Sequence, residues 1–161
     1  ARRMYAWRLG EVLPSTSIEA LRGIEGARMK ETYRRLAESH GIKWYGRKYD
    51  RQNPESDDIP NQAINHAATA VEAAALIATA ATGAIPSLGF IHEDASISFP
   101  LDIADLFRHS HTIPIAFRAA KAIEEGSHET VDRLVRRIAG RRFRETQLIP
   151  AMIERIKELF T

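Results

Sequence analysis

Residues 59–83 read "IPNQAINHAATAVEAAALIATAATG", a run holding ten alanines. Asp58 before it suits an N-cap, Pro60 is tolerated only in a first turn, and Gly83 suits a left-handed stop, so the spacing predicts one long helix. Alanine is the best helix former and the smallest side chain that fills a helix surface. A helix faced with alanine lets neighbours approach on several sides, as the centre of a helical bundle requires. Glu72 in mid-run and the predominance of alanine make it a poor membrane span, so a cytoplasmic protein with no membrane partner is expected. Asn61, Asn65, Thr69 and Glu72 fall on one stripe, since positions three or four apart share a face. That stripe reads as a solvated edge.

Outward from this helix the signals are mostly helical. A short first segment runs from Arg2 to about Gly10. Ser17 caps a helix over "IEALRGIEGARMKETYRRLAESHG" that stops at Gly41. Gly23 and Gly26 inside it each cost about 1 kcal/mol relative to alanine. Such a pair implies close approach of another backbone, either a tight helix crossing or a nucleic-acid strand. "IKWYGRKYDRQNPESDD" is a polar, arginine-bearing connection. Alternation in "SLGFIH" and "SISF" predicts a small β-hairpin over 84–99. Helices are then expected from Pro100, from Thr112 and Pro114, after Ser127, and from Pro150. The expected fold is mainly α, a helical bundle with one small β-hairpin.

The 161 residues suffice for one well-formed core, so one domain over 1–161 is expected. With no cysteine, any metal must be held by oxygen and imidazole, which favours harder cations. The net charge is only +2, but 18 of the 23 basic residues are arginine, the side chain suited to phosphate. The opening "ARRMYAW" lacks an initiator methionine and reads as mid-helix, so a piece of a longer chain is expected.

"GFIHEDASISFPLDIADLF", residues 89–107, concentrates acidic groups around one histidine. Asp102 and Asp105 are one turn apart on one helix face, where a single cation could be shared. Acids also favour helix starts for the field alone, so capping and metal binding both remain open on spacing. His92, ten residues before Asp102 and after an apolar "GFI", reads on its own as a structural residue. Glu25 has Arg22 and Arg28 three residues to either side, and helix salt bridges account for it. "WYGRKYDR" interleaves aromatics with cations, a pattern suited to single-strand or duplex-end binding. "RRIAGRRFR", residues 136–144, reads as a solvated basic face.

"LRGIEG", "NQAINHAATA", "GFIH" and "LDIAD", in this order and at these separations, closely resemble the large metal-dependent subunit of the CRISPR spacer-acquisition integrase, most of all its type I-E form. The resemblance runs from "RRMYAWRLGE" to about Lys121 and more loosely to the end. It implies a helical catalytic domain lacking the family's N-terminal β-rich domain. It implies metal ligands at Glu25, His92 and Asp105, a further functional carboxylate at Asp102, and Mg²⁺ or Mn²⁺ as cofactor. It implies DNA contacts at Arg22, Lys30, Arg47 and Tyr49. The implied activity is DNA nicking and insertion of captured spacers by 3′-hydroxyl attack on a repeat phosphodiester. The implied partners are double-stranded DNA with frayed ends, CRISPR repeat DNA, a second copy in a homodimer, and a small ferredoxin-like subunit. The chain departs from the pattern at Glu93 and Asp94, where a basic residue is common, and at Leu101 and Glu72, where aromatics are. The competing reading is a helical DNA-binding or assembly fragment without catalysis, its acids serving as caps and ion pairs.

Overall fold

The computed structural model describes residues 1–13, 17–48, 57–93 and 96–161. Among these residues seven α-helices follow one another: α1 (Arg2–Leu9), α2 (Ile18–Ser39), α3 (Ile59–Thr82), α4 (Ser98–Leu106), α5 (Ile113–Glu124), α6 (Val131–Thr146) and α7 (Leu148–Leu159). A π-helical turn, Arg108–Thr112, joins α4 to α5. Several expected caps form. Ser17 Oγ accepts from Ala20 N at 3.1 Å, and an Asp58 carboxylate oxygen accepts from Asn61 N at 3.0 Å. Gly10 and Gly83 end α1 and α3 at φ 73° and 70°, the region glycine enters without a Cβ penalty.

Helix α3 packs against α4, α5, α6 and α7 and serves two cores in succession. Its first half (Ala63, Ile64, Ala67) meets Tyr33 and Ala37 of α2, Phe117 of α5 and Leu134 of α6. Its second half (Val71, Ala74, Ala75, Ala78) meets Met4 of α1, Phe99 and Ile103 of α4, and Met152 and Ile156 of α7. By length and composition α3 would pass for a membrane span, yet its apolar face is the one these helices cover.

The expected hairpin is not there: among the described residues there is no strand. Ser98 and Phe99 of "SISF" open α4, both buried, and the Phe99 amide donates to the Pro86 carbonyl at 2.8 Å. Four alternating residues fit a helix's first turn as readily as a strand. Burial of Phe99 against Phe90 and Phe160 decides between them. Helix α4 therefore starts before Pro100. Helix α6 starts at Val131, later than Ser127 implied, and runs through Gly140 to Thr146.

The π-turn directs His111 inward, where it is 7 % exposed, with Nε2 2.9 Å from the Thr146 hydroxyl. Burial, aided by Arg142 and His109, pushes its pKa down from 6.5 to about 4. The unfolded chain therefore takes up the proton first as pH falls, and stability present above about pH 6.5 is lost progressively toward pH 4. Urea unfolding should lose about 3 kcal/mol more over this interval in the parent than in His111→Gln. Parallel pH profiles would contradict the assignment.

Candidate functional site

Three helices bring together residues far apart in sequence. Packing of α1 on α2 and α4 places Arg8 between two carboxylates. Arg8 Nη2 donates to Glu25 Oε1 at 2.5 Å and lies 3.2 Å from Asp105 Oδ2. The side chains of Arg8, Glu25 and Asp105 are only 8 %, 13 % and 9 % exposed, so the contacts form largely away from water. Arg108, from the π-turn, pairs with the other oxygen of Asp105. A cleft of about 290 Å³ opens on this group, lined also by Arg28, Arg35 and His109. Carboxylates at its floor and cations along its walls suit a phosphate-bearing ligand.

Asp102 faces the other way and is fully buried. Its carboxylate accepts from the backbone amides of Phe90 at 2.5 Å, Ile91 at 3.0 Å and His92 at 3.0 Å, and from His92 Nδ1 at 2.7 Å. It thus fixes a turn and a ring at once, doing more than cap a helix. Burial pushes Asp102 up, but these hydrogen bonds outweigh it and hold the group below its usual value. The same bond raises His92 above 6.5 against the lowering by burial. In the neutral ring, with Nδ1–H given to the carboxylate, the lone pair is at Nε2, the arrangement metal-binding imidazoles use. Gly89 permits this crossing. A Cβ there would lie 2.2 Å from the His92 carbonyl oxygen and 2.7 Å from Ser98 Cβ.

Glu25, His92 and Asp105 fit Mg²⁺ or Mn²⁺ in donor chemistry, oxygen with one imidazole. Asp105 lies close enough to His92 to help raise its pKa, and close enough to Glu72 to add to the upward push of burial there. As arranged, however, no three His, Asp or Glu side chains among the described residues are set to hold one ion. Positive charge at Glu25 and Asp105 is supplied by Arg8 and Arg108. The expected salt bridges of Glu25 with Arg22 and Arg28 do not form. Arg28 pairs with Glu11, and the Arg22 guanidinium lies 3.5 Å from the Ile91 carbonyl oxygen.

Arg22 and Lys30 are exposed on α2. Arg47 is exposed too, but donates to Asn61 Oδ1 at 2.9 Å and Asn65 Oδ1 at 2.5 Å. Tyr49 lies outside the described residues, as do Asp94 and Ala95. Trp44 turns inward, stacked on Tyr33 with centroids 5.3 Å apart and edge-on to Phe117, so this aromatic belongs to the core. Asn61 is no solvated edge: fully buried, it accepts from Lys48 N and donates to the Gly46 carbonyl, tying the basic connection to α3. Nothing in this chain lies within 4 Å of where a Cβ on Gly23 or Gly26 would sit, so neither marks a tight helix crossing within the chain. Sequence reasoning missed Arg8, Arg108 and Gly89. Arg108 stands three residues from Asp105, an ion-pair spacing; Arg8 pairs only across elements and leaves no local mark.

Asp102→Ala should cost about 3 to 5 kcal/mol in urea unfolding, because three amides lose their acceptor. His92→Ala, which removes a ring 38 % exposed, should cost less than about 1 kcal/mol. Equal losses would mean that Asp102 serves the ring and not the turn.

Residues 5–136 match the family described as CRISPR associated protein Cas1. The chain is 37 % identical over 161 residues to CRISPR-associated endonuclease Cas1 3 of Methanospirillum hungatei, covering 99 % of this chain and 52 % of that protein. It is 38 % identical over 159 residues to CRISPR-associated endonuclease Cas1 2 of Thermus thermophilus, covering 98 % and 48 %. It superposes on the crystal structure of a TtCas1–DNA complex with a TM-score of 0.87 at 36 % identity, covering 98 % of this chain and 57 % of that one. The chain spans about half the length of the curated relatives it matches. A helical bundle with this arrangement, aligned over nearly its whole length with Cas1 endonucleases, belongs to the Cas1 family.

Proposed function

We propose that this chain is the catalytic part of a metal-dependent, type I-E-like spacer-acquisition enzyme that nicks DNA and joins captured DNA to a CRISPR repeat. The observation that carries this reading is the cleft in which Glu25 and Asp105, nearly buried, meet beneath Arg28, Arg35 and His109. Names of the relatives as endonucleases, and the DNA in the TtCas1 complex, support the same substrate class.

Glu25, His92 and Asp105 would hold Mg²⁺ or Mn²⁺. Such an ion supplies charge neutralisation at a scissile phosphate and a lowered pKa at the attacking oxygen. The protein's own part is positional. Asp102 fixes the ring of His92 and the turn that carries it, and the guanidinium groups along the cleft bind backbone phosphates. In strand transfer the incoming 3′-oxygen bonds to phosphorus as the repeat's own P–O3′ bond breaks. One phosphodiester replaces another, and no outside energy source is required. The same site with water as nucleophile gives a nick.

Arg22, Lys30 and Arg47 suit the path of the DNA, and the bare backbone at Gly23 and Gly26, flanking Glu25, leaves room for a strand to approach. Tyr49 is assigned to the same path by resemblance. Frayed duplex ends, CRISPR repeat DNA, a second copy of the enzyme and a small ferredoxin-like subunit complete the proposed cytoplasmic assembly. One observation favours the non-catalytic alternative: Glu25 and Asp105 are already ion-paired.

The two readings part in a strand-transfer assay on branched DNA, run in a chain extended to the length of the relatives. Glu25→Ala should lower metal-dependent product on the order of 100-fold or more. Unchanged activity would reject the assignment.

A further inference from the structure

Arg8 has a second meaning in this arrangement. Its side chain is 8 % exposed, reaches out from α1, and touches one carboxylate from α2 and one from α4. Burying a guanidinium is costly, and here the two carboxylates offset that cost. Burying two carboxylates side by side is just as costly without a cation between them. In direct contact, Arg8 and Arg108 match Glu25 and Asp105 two against two. A divalent ion on the same carboxylates would add two positive charges beside Arg8.

We infer that Arg8 is a built-in cation that holds Glu25 and Asp105 together in the metal-free protein and competes with a divalent metal for them. This rests on the reading of Glu25 and Asp105 as metal ligands. Arginine suits the role because it keeps its charge at every pH a protein tolerates and its planar fork can serve two oxygens. Arg8 therefore does not leave by losing its charge; a divalent cation displaces it. The guanidinium sits 5.7 Å from the centre of the Tyr5 ring, so it keeps a favourable face when a carboxylate is withdrawn. The same cleft wall carries Arg28 and Arg35, where a DNA phosphate would take up the charge that Arg8 no longer spends on Glu25.

Calorimetric titration with Mn²⁺, paired with melting curves with and without the ion, tests the inference. Removing a positive charge at this range should tighten Mn²⁺ binding in Arg8→Met by about tenfold or more. The metal-free protein should melt lower than the parent, and saturating Mn²⁺ should close most of that gap. A merely structural arginine would lower melting equally with and without metal and leave Mn²⁺ affinity unchanged or weaker. Arg8→Lys, which keeps the charge but loses the fork, should fall between parent and Arg8→Met; it decides the matter if Arg8→Met does not fold. Parent binding that His92→Ala abolishes, with equal or weaker affinity in the Arg8 variants, overturns this inference and leaves the ligand assignment standing. No saturable binding by either the parent or Arg8→Met overturns both.

Discussion

The small side chains along α3 set the distances on which everything else depends. Ala63, Ala67, Ala74, Ala75 and Ala78 are buried and occupy little volume, so α4, α5, α6 and α7 lie close against one helix. Larger residues there would push those helices outward, and close-packed interiors do not absorb such volume cheaply. The two cores along α3 explain how a chain of this length supports a cleft at its surface. The first half anchors the basic connection through Asn61, and the second half seats α4.

Seating of α4 then orders the site. Ile103 and Phe99 face the core, and this rotation directs Asp102 inward to the turn and Asp105 toward α1 and α2. Two acids one turn apart thereby take different work. Asp102 binds backbone amides and a ring, and Asp105 meets two arginines. Gly89 lets the turn pass over the start of α4, and the π-turn after α4 brings Arg108 back onto Asp105.

Much of the helical order was legible because it is local. Ser17, Asp58, Gly10 and Gly83 act through their own turns, and their caps formed where their chemistry predicts. The expected hairpin rests on two short alternating runs, "SLGFIH" and "SISF", too little to outweigh the burial of Phe99. Glu25, His92 and Asp105 stand out in sequence only through a resemblance of motifs, and the meeting of Glu25 and Asp105 at Arg8 is a property of packing: no spacing rule relates the two. Arg8 was invisible for the same reason. Trp44 misled because exposed and buried aromatics look alike in sequence, and only the ring of Tyr33 beside it decides. The glycine pair in α2 is half legible: its cost is apparent in sequence, and the structure adds that nothing in this chain packs beside it.

The central claim is that Glu25, His92 and Asp105 act on one ion. Crystals grown with Mn²⁺, measured for anomalous scattering at the manganese edge, test it most directly. The account predicts a single peak about 2.2 Å from His92 Nε2 and from carboxylate oxygens of both Glu25 and Asp105, with the Arg8 guanidinium drawn away from at least one of them. Arg8 still bridging the two carboxylates at saturating Mn²⁺, with no peak beside His92, would contradict it.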